Sequence, residues 1–139
     1  MSLTDDVEIL RAIPLFAGVS PIKLKLLAFT SDRVTFKAGQ PLFCEGDPSK
    51  AAFVIMSGKA ALSRKSAEGT VTVAEASTRS VVGEGALMSD RAHDVTAVAT
   101  TLVEILRIDR QRFSDLLASC PHTMAQVMRT LSDRMSQGH

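Results

Sequence analysis

Two cysteines and three histidines in 139 residues leave little room for metal chemistry. Cys44 and Cys120 are too few for a four-ligand zinc or iron–sulfur site and fit no disulfide framework, so they read as buried free thiols. An excess of one charge is missing as well. The 16 basic residues nearly balance the 15 acidic ones, for a net charge of +1. No global field therefore draws the chain onto nucleic acid or an anionic membrane, and any anion must be bound locally. No apolar run approaches the roughly 18–20 residues that cross a bilayer. The opening Met1-Ser2-Leu3-Thr4-Asp5-Asp6 carries acid where a secretory signal needs a basic stretch followed by an apolar one. These absences favour a cytoplasmic protein with no membrane partner. No internal repeat is evident.

What remains suffices for one core. Hydrophobic residues make up 45% and charged residues 22%, the composition of an ordinary globular domain. Ser20-Pro21 predicts a helix start, because serine can cap free amides and proline is pre-set for the first helical position. Ile22, Leu24, Leu26 and Leu27 are its expected apolar face. Before it, Thr4 is a possible cap for a shorter helix that turns Val7 and Leu10 inward and ends at Pro14.

From Val34 the texture changes to short β-type runs split by turn residues: Val34 to Phe36, Pro41 to Cys44, Ala52 to Met56, Lys59 to Lys65, Thr70 to Glu75, Val95 to Thr100 and Leu102 to Ile108. Strands at roughly 8–12-residue spacing indicate a barrel or sandwich, not a parallel βαβ sheet. Helical periodicity returns after Ile108, with Asp109 as a candidate cap and Phe113, Leu116 and Leu117 on one face. Beyond Pro121, a last helix carries Met124, Val127, Met128, Leu131 and Met135 at spacings of three or four. That stripe needs a partner surface, and a homodimer through the C-terminal helix is the expectation.

Phe43-Cys44-Glu45-Gly46-Asp47-Pro48 followed by Phe53-Val54-Ile55-Met56-Ser57-Gly58-Lys59 closely resembles a turn and strand pair of cyclic-nucleotide-binding domains. Gly83-Glu84-Gly85-Ala86-Leu87-Met88 is similar to the start of their phosphate-binding cassette. The likeness extends over residues 8–136. It implies the fold of a catabolite activator protein-like sensor domain, mainly β with flanking helices. The arrangement is a β-roll (double-stranded β-helix, or jelly roll) with N-terminal helices and two C-terminal helices. On that basis residues 1–139 form one domain: helices at about 4–29, the β-roll at about 32–108 and C-terminal helices at about 109–136.

The resemblance also implies a ligand, cyclic AMP or cyclic GMP, and no further cofactor. In the family, backbone amides at a short helix start hold the cyclic phosphate, as a helix amino terminus can. Gly83, Gly85 and Ala86 lack the bulk that would keep a phosphate from the backbone. Glu84 matches the acceptor for the ribose 2′-hydroxyl, and Leu87 continues the motif. The departure follows: the family's phosphate-binding arginine falls on His93, and the small or hydroxyl residue after it on Asp94. An arginine holds a fixed charge and a planar donor fork, whereas histidine near pH 7 offers partial charge and single donors. Arg91, two residues earlier, is a possible substitute clamp. The candidate site comprises Gly83, Glu84, Gly85, Ala86, Leu87, Arg91, His93, Asp94, Val95 and Thr96.

A metal at His93 lacks convergent partners, so His93 and Asp94 read as a polar pair in a hydrated loop. Three function classes compete. A regulatory ligand-sensing domain with a weakened cassette comes first, and an interaction module that keeps the fold without the nucleotide comes second. A cupin-type metal enzyme needs a histidine cluster the strands lack. No nucleophile–base pair supports catalysis. Since the chain ends at Gly138-His139, with no room for a helix-turn-helix, nucleic-acid binding by this chain alone is not expected.

Overall fold

The computed structural model describes residues 3–16, 18–83, 92–118, 121, 124–125, 128–129 and 132. Helix α1 (Leu3–Arg11) and a 3-10 turn (Pro14–Phe16) precede α2 (Pro21–Thr30). Ser20 caps α2, its side chain accepting from the Lys23 amide with Pro21 in the first turn, as the Ser-Pro pair predicts. Leu3 already lies in α1, so Thr4 is inside the helix and does not cap it. The helix ends at Arg11, and Pro14 opens the 3-10 turn that buries Leu15 and Phe16.

Eight strands follow: β1 (Asp32–Phe36), β2 (Pro41–Phe43), β3 (Ala51–Ser57), β4 (Ala60–Ser66), β5 (Gly69–Ala76), β6 (Val81–Val82), β7 (Thr96–Ala99) and β8 (Val103–Asp109). They form two antiparallel four-stranded sheets, ordered β1-β8-β3-β6 and β2-β7-β4-β5. This is the mainly β roll with flanking helices that the cyclic-nucleotide-binding likeness implies. β6 is the strand that the apolar runs did not reveal. Asp109 caps the next helix, α3 (Arg110–Ala118), by accepting from the Gln111 amide at 2.7 Å.

The central strands β3 and β8 of the first sheet are buried on both faces, and strand alternation sorts their side chains. In β3, Ala51, Phe53 and Ile55 point between the sheets, while Ala52, Val54 and Met56 point to the helices. β8 does the same, with Val103 and Ile105 inside the roll and Leu106 and Ile108 beneath the helices. The helical side of that core is closed by Leu10, Phe16, Leu24 and Phe113, and the Phe16 and Phe113 rings meet edge to face at 6.1 Å. Arg33 of β1 bridges Asp6 of α1 and Glu104 of β8. Asp6 is buried, so this guanidinium compensates a charge that would otherwise be costly to desolvate.

Two expectations are corrected. Helix α2 packs through Leu24, Leu27 and Ala28, whereas Ile22 and Leu26 are 74% and 60% exposed, because α1 and α3 meet the opposite side of that helix. Cys44 is an exposed thiol and not a buried one, since it follows the last residue of β2 and enters a turn. Cys120 lies outside the described residues, as does Leu117's side chain.

The β3–β4 turn rests on Gly58, whose φ is +93° and where an added Cβ would sit 2.2 Å from the Leu102 carbonyl oxygen. Gly39 has a similar φ of +92° with open space around it. Gly39→Ala is therefore expected to cost about 1–2 kcal/mol of left-handed strain, and Gly58→Ala about 1–3 kcal/mol more from the backbone collision. Urea denaturation of the two variants measures that difference, and equal losses would refute the steric assignment.

Candidate functional site

A turn between β2 and β3 organises the open end of the roll. The Cys44 amide donates to the Asp47 carboxylate and the Asp47 amide to the Cys44 carbonyl, both at 3.0 Å, which closes residues 44–47 into a tight turn. The turn then reaches outward in three directions. The Glu45 amide donates to Thr96 Oγ1 at 2.8 Å, and the Lys65 amide donates to Glu45 Oε1 at 3.0 Å. The Gly46 amide donates to the His93 carbonyl at 2.8 Å, and the His93 amide returns a bond to the Asp47 carbonyl at 2.9 Å.

Five of the ten candidate residues are described. Gly83, at φ +73°, follows β6 and approaches His93 closely: an added Cβ would lie 3.1 Å from its Cε1 and 3.5 Å from its Nδ1. Asp94 is exposed, and its carbonyl oxygen accepts from Arg64 Nε at 3.4 Å. Val95 packs half-buried against the core between the sheets, and Thr96 begins β7. Gly83 and His93 are thus brought together, with Asp94, Val95 and Thr96 running on from them. Glu84, Gly85, Ala86, Leu87 and Arg91 lie outside the described residues.

The sequence placed His93 in a hydrated polar loop, and the structure corrects that. Its residue exposure is 9%, and its ring stacks on Phe43 with centroids 3.8 Å apart and planes 16° from parallel. Phe43 in turn packs against Phe53 at 5.4 Å, so the imidazole continues an aromatic row into the roll. Burial pushes the imidazole below its ordinary value, with the Asp47 and Asp94 carboxylates opposing that shift. Asp94 is exposed and does not share the burial, which is why the two neighbours do not act as a polar pair. No group of three His, Cys, Asp or Glu side chains that could hold a metal occurs among the described residues.

Arg64 was missed. Its signal was the period of two in Ala60-Ala61-Leu62-Ser63-Arg64, which puts an arginine on the same strand face as Ala60 and Leu62. Ala60 is buried in the inter-sheet core and Leu62 packs against it.

The His93 shift has a stability consequence with a definite sign. A histidine held neutral in the fold and free to protonate when unfolded stabilises the protein fully above its ordinary value of 6.5, and that stability is lost as pH falls below it. Wild-type protein is expected to lose more stability between pH 7.5 and 5.5 than His93→Gln, as read from urea midpoints at each pH. Equal losses would show that the imidazole is not held neutral.

Comparison with known proteins bears on what this turn and cassette belong to. Residues 33–120 match the family described as cyclic nucleotide-binding domain. A CRP-like cAMP-activated global transcriptional regulator of Mycobacterium tuberculosis is 27% identical over 129 residues, covering 92% of this chain and 58% of that protein. The cAMP-dependent protein kinase regulatory subunit of Aspergillus niger is 30% identical over 118 residues, covering 85% of this chain and 28% of that protein. This chain thus spans well under two thirds of both relatives. Among solved structures, a cyclic nucleotide-binding-like protein from Brucella abortus superposes with a TM-score of 0.74 at 35% identity, over 82% of this chain and 98% of that one. No helix among the described residues is long and apolar enough to cross a membrane. The family match covers more than half of this chain, and the chain belongs to the cyclic nucleotide-binding domain family, in which the two relatives above are regulatory proteins.

Proposed function

We propose that this chain senses a cyclic nucleotide, or a related small anion, with a cassette whose grip on cyclic AMP and cyclic GMP is weakened at His93. The observation that carries this reading is the His93 ring, stacked on Phe43 and held neutral by burial, at the position where the family places a phosphate-binding arginine. A neutral imidazole engaged in packing lends a cyclic phosphate no fixed charge and no donor fork. Asp94 adds a carboxylate close to where the anion would lie, which opposes binding. The glycine at 83 and the carboxylate at 84 keep the rest of the family's pattern, so the pocket is weakened and not abolished. We assign residues 1–139 to one such domain and place it in the cytoplasm, with no cofactor, no nucleic-acid contact by this chain alone and no membrane.

Calorimetry tests the reading. Wild-type protein is expected to bind cyclic AMP and cyclic GMP weakly, and His93→Arg with Asp94→Ala to bind at least tenfold more tightly, a gain of about 1.4 kcal/mol. Tight wild-type binding that the double change leaves unaltered would overturn it.

A second reading concerns assembly. The described positions of the last segment, including Met124 and Met128, are helical, and those two methionines are 44% and 49% exposed. With Val127, Leu131 and Met135 they complete an apolar stripe in the sequence, and we propose that it pairs with the same stripe of a second copy. Sedimentation is expected to show a dimer that Leu131→Asp dissociates. A monomer at high concentration would refute it.

A further inference from the structure

The cation that the cassette lacks at residue 93 has a counterpart on a different element. β4 alternates regularly against β7, with Ala60 opposite Ala99 and Leu62 opposite Ala97, all facing the core between the sheets. Arg64 is the next position on that inward face, paired with Val71 of β5 at the open end of the strand. It is half-buried. Its Nε–H donates to the carbonyl of Asp94 at 3.4 Å, which ties the guanidinium to the residue next to His93. Arg11, Arg33 and Arg107 each meet a carboxylate: Glu8, then Asp6 and Glu104, then Asp32. Arg64 meets none among the described residues.

A partly exposed arginine on the inward strand face, with no carboxylate partner among the described residues, keeps its charge and donors open to an anion. The bond through Nε orients the guanidinium and leaves both terminal nitrogens as donors, the geometry that suits a phosphate edge. We propose that Arg64 is the anion-binding residue of this pocket, taking the phosphate of the ligand from β4 in place of a cassette arginine. The inference rests on the sensor reading above and names the residue through which the weakened pocket still holds its ligand. The chemistry recognised is a phosphate group, either the diester of a cyclic nucleotide or free phosphate.

The test follows the arginine Nε–H signals of the full-length chain by NMR, with Arg64 assigned from the signal lost in Arg64→Lys. Cyclic AMP and inorganic phosphate are titrated separately. The Arg64 signal is expected to move with cyclic AMP. Arg64→Gln is expected to weaken cyclic AMP binding at least tenfold, with Arg64→Lys recovering part of the loss because it keeps the charge. Arg107→Gln, on β8 beside Asp32, serves as the control and should leave binding unchanged. Unaltered amide spectra elsewhere establish that the variants fold.

If cyclic AMP moves other signals but not that of Arg64, the assignment falls while the sensor reading survives. The assignment falls in the same way if wild-type protein is silent and only His93→Arg with Asp94→Ala binds. If phosphate moves Arg64 but cyclic AMP moves nothing in either protein, Arg64 binds anions and the cyclic-nucleotide reading falls. If neither ligand moves any signal in either protein, both fall.

Discussion

The pair of main-chain hydrogen bonds between His93 and the Gly46–Asp47 turn is the constraint on which the open end of the roll depends. It fastens the segment that enters β7 to the turn that leaves β2, so two strands already neighbours in the sheet are locked at their mouth as well. Side-chain packing then takes its place around that fixed backbone. With its amide and carbonyl committed, His93 lays its ring on Phe43. The close approach of Gly83 follows from the same placement, and its positive φ and the nearby His93 ring would strain a side chain there. A histidine in this setting is a packing residue first, and its chemistry is subordinate to its position.

The asymmetry of the two sheets explains where a ligand site can form. In the β1-β8-β3-β6 sheet the central strands β3 and β8 are occupied on both faces, by the opposite sheet and by the helices, while the edge strand β1 leaves Asp32, Arg33 and Thr35 exposed. The β2-β7-β4-β5 sheet turns one face inward and the other to solvent, and β5 is exposed along most of its length. The inward face of that second sheet and the loop joining the two therefore supply the polar side chains beside His93. Arg64 comes from the inward face of the sheet and His93 from the loop, whereas Thr96 lies on the face opposite Ala97 and Ala99 and Asp94 is exposed. The helices lie on the far side of the first sheet. β3 and β8, whose alternate side chains belong to both cores, stand between the mouth and those helices.

Features set by a few adjacent residues were legible in the sequence. The Ser20-Pro21 cap and the Asp109 cap need only their own neighbours, and the apolar runs of β3 and β8 declare themselves by composition. What was hidden depends on distant partners. Val81-Val82 is too short to signal a strand and exists as one because it pairs with Phe53 and Val54. Ile22, Leu24, Leu26 and Leu27 are equally apolar, and only the docking of α1 and α3 decides which of them turns inward. For the site, motif likeness located the cassette and the missing arginine. It could not tell that His93 would be buried, since Phe43 is far away in the chain and meets it only in the folded roll. Arg64 escaped because an inward arginine on a strand looks, in sequence, like any surface cation.

The exposed thiol of Cys44 gives this architecture a built-in vantage point. It sits two residues before the amide that clasps His93 and one residue after the ring on which His93 stacks. A fluorophore or spin label attached there, with Cys120 replaced, would stand at the junction of the turn and the cassette without entering the roll. Its signal would follow the mouth of the pocket in real time, and so separate the moment a ligand arrives from the moment the distant helices answer.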